Sequence, residues 1–238
     1  MHAYIDQGFE FIELVAGYDL SGSPAGQDIA SVPLIWQCPS DLPAEHESRL
    51  IRQAVLEVWR EQLQAASAVN AALMILQFRQ PDELHNKSVF IHRYIDLLQS
   101  ITQETRAAGI QPVLRNSPDN RDQLQLLREI VRAVPGLALA LDIAYAHHQV
   151  VKNLTGEYLW DSDLAPRLAH IYVSDTNGRD SSLRLPLGSV GNAAPDWSRL
   201  VRLIRERYNA SVTIDAGSAA PEYLEQSRQK WLSWWAQQ

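Results

Sequence analysis

Short apolar runs alternate with longer amphipathic stretches along nearly the whole chain, and this rhythm constrains the fold more than any other feature. The runs at 11–15, 32–36, 73–78, 112–114, 137–143, 171–174 and 212–214 lack clean two-residue alternation, the pattern of strands covered on both faces. Between them, 47–69 places Leu50, Ile51, Ala54, Val55, Val58, Leu63 and Ala66 at the spacing of one helical face. The stretch 89–108 repeats that spacing with Ile91, Tyr94, Ile95, Leu98 and Ile101 and stops at Gly109. Residues 122–134, stopped by Pro135-Gly136, and 197–208 do the same. Such alternation predicts βα units on a parallel sheet, and with no linker-like stretch to divide it the chain reads as one domain over 1–238. No Gly-x-Gly-x-x-Gly or Gly-x-x-x-x-Gly-Lys sequence follows a predicted strand, which weakens dinucleotide and P-loop folds and favours a barrel. The expected class is α/β, a TIM-barrel-like parallel (β/α) barrel of seven strands.

Charge and cysteine content narrow the partners. The 238 residues carry a formal charge of −7, the wrong sign for tracking a phosphate backbone, so nucleic acid is not an expected partner. Cys38 is the single cysteine, so no intramolecular disulfide forms, which fits a reducing compartment; the expected location is the cytoplasm. The N-terminal residues lack a basic segment followed by an apolar run, and no uninterrupted apolar stretch reaches the roughly 18 residues of a membrane span, so a membrane is not expected either.

The polar residues that follow the strands are the candidate site, because parallel α/β folds carry their chemistry at strand C-terminal ends. They are Gln37-Cys38-Pro39, Arg115-Asn116, Asp142 onward, and Ser174-Asp175-Thr176-Asn177-Gly178. Asp142, ending a buried strand, reads either as a functional acid or as the partner of a neighbouring arginine. Asp175 lies in a sequence suited to Asx turns. Tyr145 and Tyr172 fill core volume or donate to a substrate oxygen. His147 and His148, adjacent in sequence, face different sides of a helix and do not share a metal. His170 reads as part of the barrel structure, the remaining histidines as surface residues, and Cys38 as a small buried side chain. Trp231, Trp234 and Trp235 fall on one side of a C-terminal helix, for docking onto the barrel or, second, for a homodimer interface.

Specific residues carry a resemblance. Gly8-Phe9-Glu10-Phe11-Ile12-Glu13-Leu14, then Leu141-Asp142-Ile143-Ala144-Tyr145, then His170-Ile171-Tyr172-Val173-Ser174-Asp175, then Leu185-Pro186-Leu187-Gly188 with Asp196-Trp197, resemble in order and spacing the xylose-isomerase-like TIM barrels. That superfamily includes sugar-phosphate isomerases and epimerases and the endonuclease IV type of repair enzyme. The resemblance implies a first strand ahead of the Gly8 motif, and that strand is expected to be missing here. An open edge is therefore expected beside the strand at 11–15, with the tryptophan-bearing helix docked over it. The resemblance also implies divalent metals held by His, Glu and Asp at the strand ends. Here Gln37 and Gln77 stand at His positions, Arg115 at a Glu, Tyr145 and Tyr172 at His, Arg184 at a His, and Asp215 at the last-strand Glu, while Asp142 alone is unaltered. The family metal site is expected to be lost, with no cofactor in its place.

Arginine cannot ligate a metal, since it stays protonated and has no acceptor, but it can supply the missing positive charge. Arg115 and Arg184 are therefore expected to meet Asp142 or Asp215 in bidentate pairs, or to cradle a ligand anion. One reading is an isomerase or epimerase acting on a small polyol, sugar acid or sugar phosphate without metal. Its base is Asp142, Asp215 or Glu13, its electrophile Arg115 or Arg184, and its further ligand contacts come from Gln37, Gln77, Tyr145, Tyr172 and Asp175. The other is a non-catalytic descendant that binds a ligand or a protein through the same loops. Endonuclease activity is rejected, since it depends on the metal cluster and the chain is acidic. Full pairing of the arginines with Asp142 and Asp215 would favour the non-catalytic reading.

Overall fold

In the computed structural model, residues 8–17, 32–40, 42–78, 87–117, 121–147, 153–180, 183–191, 195–217 and 220–237 are described. The apolar runs form strands β1 (Ile12–Val15), β2 (Leu34–Gln37), β3 (Leu73–Gln77), β4 (Gln111–Arg115), β5 (Ala138–Asp142), β6 (Leu168–Val173) and β7 (Ser211–Ile214). They make one sheet of seven strands in the order β1-β2-β3-β4-β5-β6-β7. A doubly wound sheet reverses its order at a switch point, and this one does not. The class is TIM-barrel-like α/β, as expected. The amphipathic stretches form α1 (Arg49–Ala68), α2 (Lys87–Ala107), α3 (Arg121–Ala133), α4 (Thr155–Trp160), α5 (Trp197–Arg207) and α6 (Pro221–Ala236). Whether a strand precedes β1 bears on residues 1–7, which lie outside the described ones, as do His2, His85 and His148. None of the described helices is long and apolar enough to cross a membrane.

The chain divides into two compact units, Met1–Leu114 with Glu129–Ala138 and Arg115–Arg128 with Leu139–Gln238. In the first, β1 pairs with β2 and β2 with β3, all parallel, with Val15 opposite Gln37 and Gln37 opposite Ile75. Leu34, Ile35 and Trp36 of β2, and Met74, Ile75 and Leu76 of β3, are buried, as a strand covered on both faces requires. From α1 the buried residues are Val55, Trp59 and Ala66. The expected face is thus rotated, since Leu50 is 77% exposed and Trp59 takes its share of the core. Helix α2 buries Ile91, Tyr94, Leu98 and Ile101, and Tyr94 meets Phe78 edge-on at 5.4 Å between ring centroids. Gly109 and Gly136, with φ of 80° and 87°, follow α2 and α3 in the left-handed conformation that ends a helix at little cost only in glycine.

In the second unit β5, β6 and β7 run parallel, with Asp142 opposite Tyr172 and Tyr172 opposite Thr213. Helix α5 starts at an Asp196 cap whose carboxylate accepts from the Arg199 amide at 3.1 Å. It buries Trp197, Leu200, Val201 and Ile204. The tryptophans of α6 are used inside the chain. Trp234 stacks on Trp197 with centroids 6.1 Å apart, Trp231 lies 5.9 Å from Trp235, and Arg205 donates to the Trp235 carbonyl at 2.7 Å. The helix packs on α5 of its own unit; the expected docking over an open edge ahead of β1 bears on residues outside the described ones.

Candidate functional site: an ion-paired cluster at the strand ends

Side chains alternate along a strand, so the last residues of β4 and β5, the next-to-last of β6 and the residue after β7 determine what converges at the strand ends. The second unit brings together Arg115, Asp142, Tyr172 and Asp215 from those positions, Tyr145 from the turn after β5, and Arg184 from the loop after β6. Arg115 Nη2 donates to Asp142 Oδ2 at 2.6 Å and to Asp215 Oδ2 at 2.9 Å, and its Nε lies 3.2 Å from the same Asp142 oxygen. Arg184 Nη1 donates to Asp142 Oδ2 at 2.6 Å, while its Nε stands 3.6 Å from Asp215 Oδ2. Two guanidiniums and two carboxylates leave the cluster formally neutral, the condition under which buried charge is tolerable.

The aromatic residues sandwich the cations. The Arg115 guanidinium lies 3.6 Å from the Tyr172 ring centroid, and that of Arg184 lies 4.3 Å from the Tyr145 ring, both within cation–π range. Neither tyrosine merely fills volume. Asn116 splints β4 to β5, receiving the Asp142 amide on Oδ1 at 2.6 Å and donating to the Asp142 carbonyl at 3.3 Å. Deeper, His170 is wholly buried and bonds the Ser211 hydroxyl through Nδ1 at 2.7 Å and the Thr213 hydroxyl through Nε2 at 2.9 Å.

The electrostatics follow from burial and pairing. Burial alone would raise the Asp142 carboxyl, but Arg184 and Arg115, their hydrogen bonds and the Tyr145 amide together hold it below the ordinary carboxylate range. Burial likewise opposes the charge on Arg184, and Asp142 and Asp215 keep it more firmly protonated than usual. Burial raises the Tyr145 phenol. For His170, burial and then Arg115 push the imidazole down to about 3, so it is neutral at physiological pH.

Arg184 owes its position to a strapped loop. The Asp175 and Leu185 backbones form an antiparallel bridge. The Asp175 carboxylate accepts from the Ser189 and Val190 amides at 2.7 and 3.2 Å and from the Trp197 indole. The Leu187 amide donates to Ser227 Oγ of α6 at 3.0 Å. Both Asp175 oxygens hold this strap together, toward α5. Asp175 does not make the Asx turn. Asn177 does, accepting from the Arg179 amide at 2.9 Å.

Glu13, Gln37 and Gln77 lie on β1, β2 and β3 of the first unit, where Glu13 stands opposite Ile35 and the Gln77 amide donates to the Phe78 carbonyl at 3.3 Å. Cys38 is buried, and burial raises its thiol far above the ordinary value, in keeping with a small packed side chain. Asn116 and Ser174 went unassigned in the sequence reading. The Asn of Leu114-Arg115-Asn116 was visible there, but nothing told that its amide would splint two strands. Among the described residues, no group of three or more His, Cys, Asp and Glu side chains is placed to hold a metal ion.

The fold and this strand-end cluster define the class: an α/β, TIM-barrel-like chain with arginines and carboxylates interlocked where its strands end. Among solved structures it is similar to a D-tagatose 3-epimerase-like protein, at 19% identity over 98% of this chain and 91% of that one, with a TM-score of 0.79. A D-psicose 3-epimerase from Clostridium cellulolyticum H10, solved with D-tagatose, matches at 13% identity over 98% and 90%, TM-score 0.73. A 3-keto-D-glucoside 4-epimerase from E. coli matches at 15% over 98% and 92%, TM-score 0.72. At such identities the likeness establishes the fold. No family model and no curated protein matches the sequence.

Proposed function

We propose that this chain binds a small sugar-type ligand, a polyol, sugar acid or sugar phosphate, without a divalent metal and without epimerising it. The observation that carries the proposal is the double engagement of Asp142 Oδ2, which receives Arg115 and Arg184 at 2.6 Å each. A hard cation needs several oxygen or imidazole lone pairs converging on one point. Here the carboxylate oxygen is committed to two guanidiniums, and Tyr145, Tyr172 and the arginines themselves offer no replacement set. The residues present do not fit the metal that the resemblance implies. Nor does Asp142 fit a general base. Asp142 has no exposed surface and is held ionised by its partners, so it has little tendency to take up a carbon-bound proton at neutral pH. Support for a sugar-type ligand comes from the solved epimerases that share the fold and from the part-exposed face of Arg184 and Asp215, whose side chains are 14% and 24% accessible.

The test has a binding arm and an exchange arm. Thermal-shift titration against a panel of polyols, aldonic acids and sugar phosphates is expected to show saturable stabilisation by at least one of them, and a flat response to all would overturn the binding half. NMR of ketohexoses in deuterated water, with and without added Mn²⁺, is expected to show no loss of carbon-bound hydrogen signals. Mn²⁺-dependent exchange abolished by Asp142→Asn would overturn the non-catalytic half.

A further inference from the structure

The two carboxylates of the cluster are not equivalent, and the difference identifies a site. Asp142 is wholly buried; its Oδ2 takes three nitrogen contacts from the two arginines, and its Oδ1 accepts from the Tyr145 amide at 3.1 Å. Asp215 is 24% accessible and has one good ionic hydrogen bond, at 2.9 Å from Arg115. Its other contacts are long, 3.6 Å to Arg184 Nε and 3.4 Å from the Gly217 amide to Oδ1. One carboxylate is locked into the cluster, and the other rests against the outer side of two guanidiniums that Asp142 alone would leave with a net positive charge.

We propose that Asp215 is an intramolecular stand-in for a ligand carboxylate, and that a small hydroxy acid, an aldonic-type sugar acid, binds by displacing it from Arg115 and Arg184. This rests on the ligand-binding reading above and narrows its ligand class. Arg184 keeps Nη2 clear of both carboxylates among the described contacts, so its planar fork can take a carboxylate in two-point fashion once Asp215 turns away. A second observation points the same way. Ser174 directly follows β6, two residues beyond Tyr172, the parity that continues the inner face of the strand, while the next residue, Asp175, bonds the Trp197 indole of α5. Its hydroxyl is buried, and among the described residues it has no hydrogen-bond partner. A buried hydroxyl without a partner is costly, and a ligand hydroxyl next to the carboxylate would satisfy it.

The test uses the full chain, sodium D-gluconate, acetate and formate as probes, and sodium chloride at matched ionic strength as control. An internal competitor lowers apparent affinity by the fraction of molecules it leaves open, so a site closed in 90–99% of molecules gives a roughly 10- to 100-fold gain when the competitor is removed. Asp215→Asn, which keeps volume and an acceptor, is expected to bind gluconate about 10-fold or more tightly than the unmodified chain by calorimetry. Asp215→Ala is expected to recover melting temperature in acetate or formate but not in chloride, and Arg184→Lys in the Asn background to lose the gain. Equal gluconate affinity in Asp215→Asn and the unmodified chain, or an Asp215→Ala melting temperature that acetate leaves unchanged, would overturn the proposal. Either result would leave the non-catalytic reading standing if a neutral polyol still binds. Mn²⁺-dependent exchange would sink that reading without touching the carboxylate result.

Discussion

His170 makes the stability of this chain depend on pH in a window where its carboxylates do not. The imidazole is wholly buried between the Ser211 and Thr213 hydroxyls, and burial first and Arg115 second depress it from 6.5 to about 3. In the unfolded chain it takes a proton below its ordinary value, while in the folded chain it stays neutral. Between those limits the unfolded state binds more protons, so stability is complete above the ordinary histidine value and falls as the pH is lowered through it. With about 1.4 kcal/mol per unit, the loss is about 1 kcal/mol near pH 5.5 and about 3 kcal/mol near pH 4.5. Asp142, Asp161 and Glu104, all held below the ordinary carboxylate range, are depressed in the same sense but lie lower on the pH scale. Their contributions are present above the ordinary carboxylate value of roughly 4 and are lost only beneath it, so they leave this window clear. Urea unfolding at about pH 7.5, 5.5 and 4.5 measures the slope, with His170→Gln as the comparison because its amide keeps a partner for a hydroxyl and cannot ionise. The variant is expected to be less stable near neutrality and nearly flat across the window. If it keeps the slope of the unmodified chain, or if NMR finds His170 titrating near its ordinary value, the reasoning is wrong.

Arg115→Met leaves Asp142 with Arg184 as its only cationic partner among the described residues and is expected to cost about 3–5 kcal/mol in denaturant unfolding. Adding Asp142→Asn should recover part of that loss, because the remaining Arg184 and Asp215 balance one another, and strictly additive losses would show that the residues do not act as a unit. Asp175→Ala strips the Ser189 and Val190 amides and the Trp197 indole of their acceptor. A loss of about 2 kcal/mol or more is expected, with faster amide exchange across 185–190; unchanged exchange there would remove Asp175 as the strap of the Arg184 loop. Gly178 has φ of 72°, and an added Cβ would lie 3.2 Å from the His147 carbonyl oxygen, so Gly178→Ala is expected to lower stability by about 1–2 kcal/mol, read as a drop in melting temperature.

Much of this is legible in the sequence, and the exceptions have physical causes. Strand positions were readable because parallel strands buried on both faces leave short unbroken apolar runs, as in Leu139, Ala140 and Leu141 before Asp142. Helix faces were less so: Leu50 fits the period of α1 but sits in its first turn, beyond the packed stripe of Val55, Trp59 and Ala66. The part Asp175 plays in the strap was not legible. Counting by twos from Tyr172 puts Ser174 on the inner side and Asp175 on the outer, but the indole that receives it comes 22 residues later, which no local pattern announces.

The arginine pairing shows the same division between what a sequence names and what only a fold decides. Arg115 and Arg184 stood out as cations at positions where carboxylate and imidazole were expected, and charge balance alone argued that they face Asp142 and Asp215. Which carboxylate takes the greater share could not be read from residue types, since both are aspartates ending strands. It is decided by depth: Asp142 ends β5 in a fully buried position, while the carboxylate of Asp215, one residue beyond β7, keeps contact with solvent. A buried ion is tolerated only when saturated with partners, so the donors crowd onto Asp142, and the shallower Asp215 keeps what remains. The asymmetry that makes Asp215 displaceable therefore follows from the desolvation cost of its neighbour, and a change that lets water reach Asp142 should make the two carboxylates more alike.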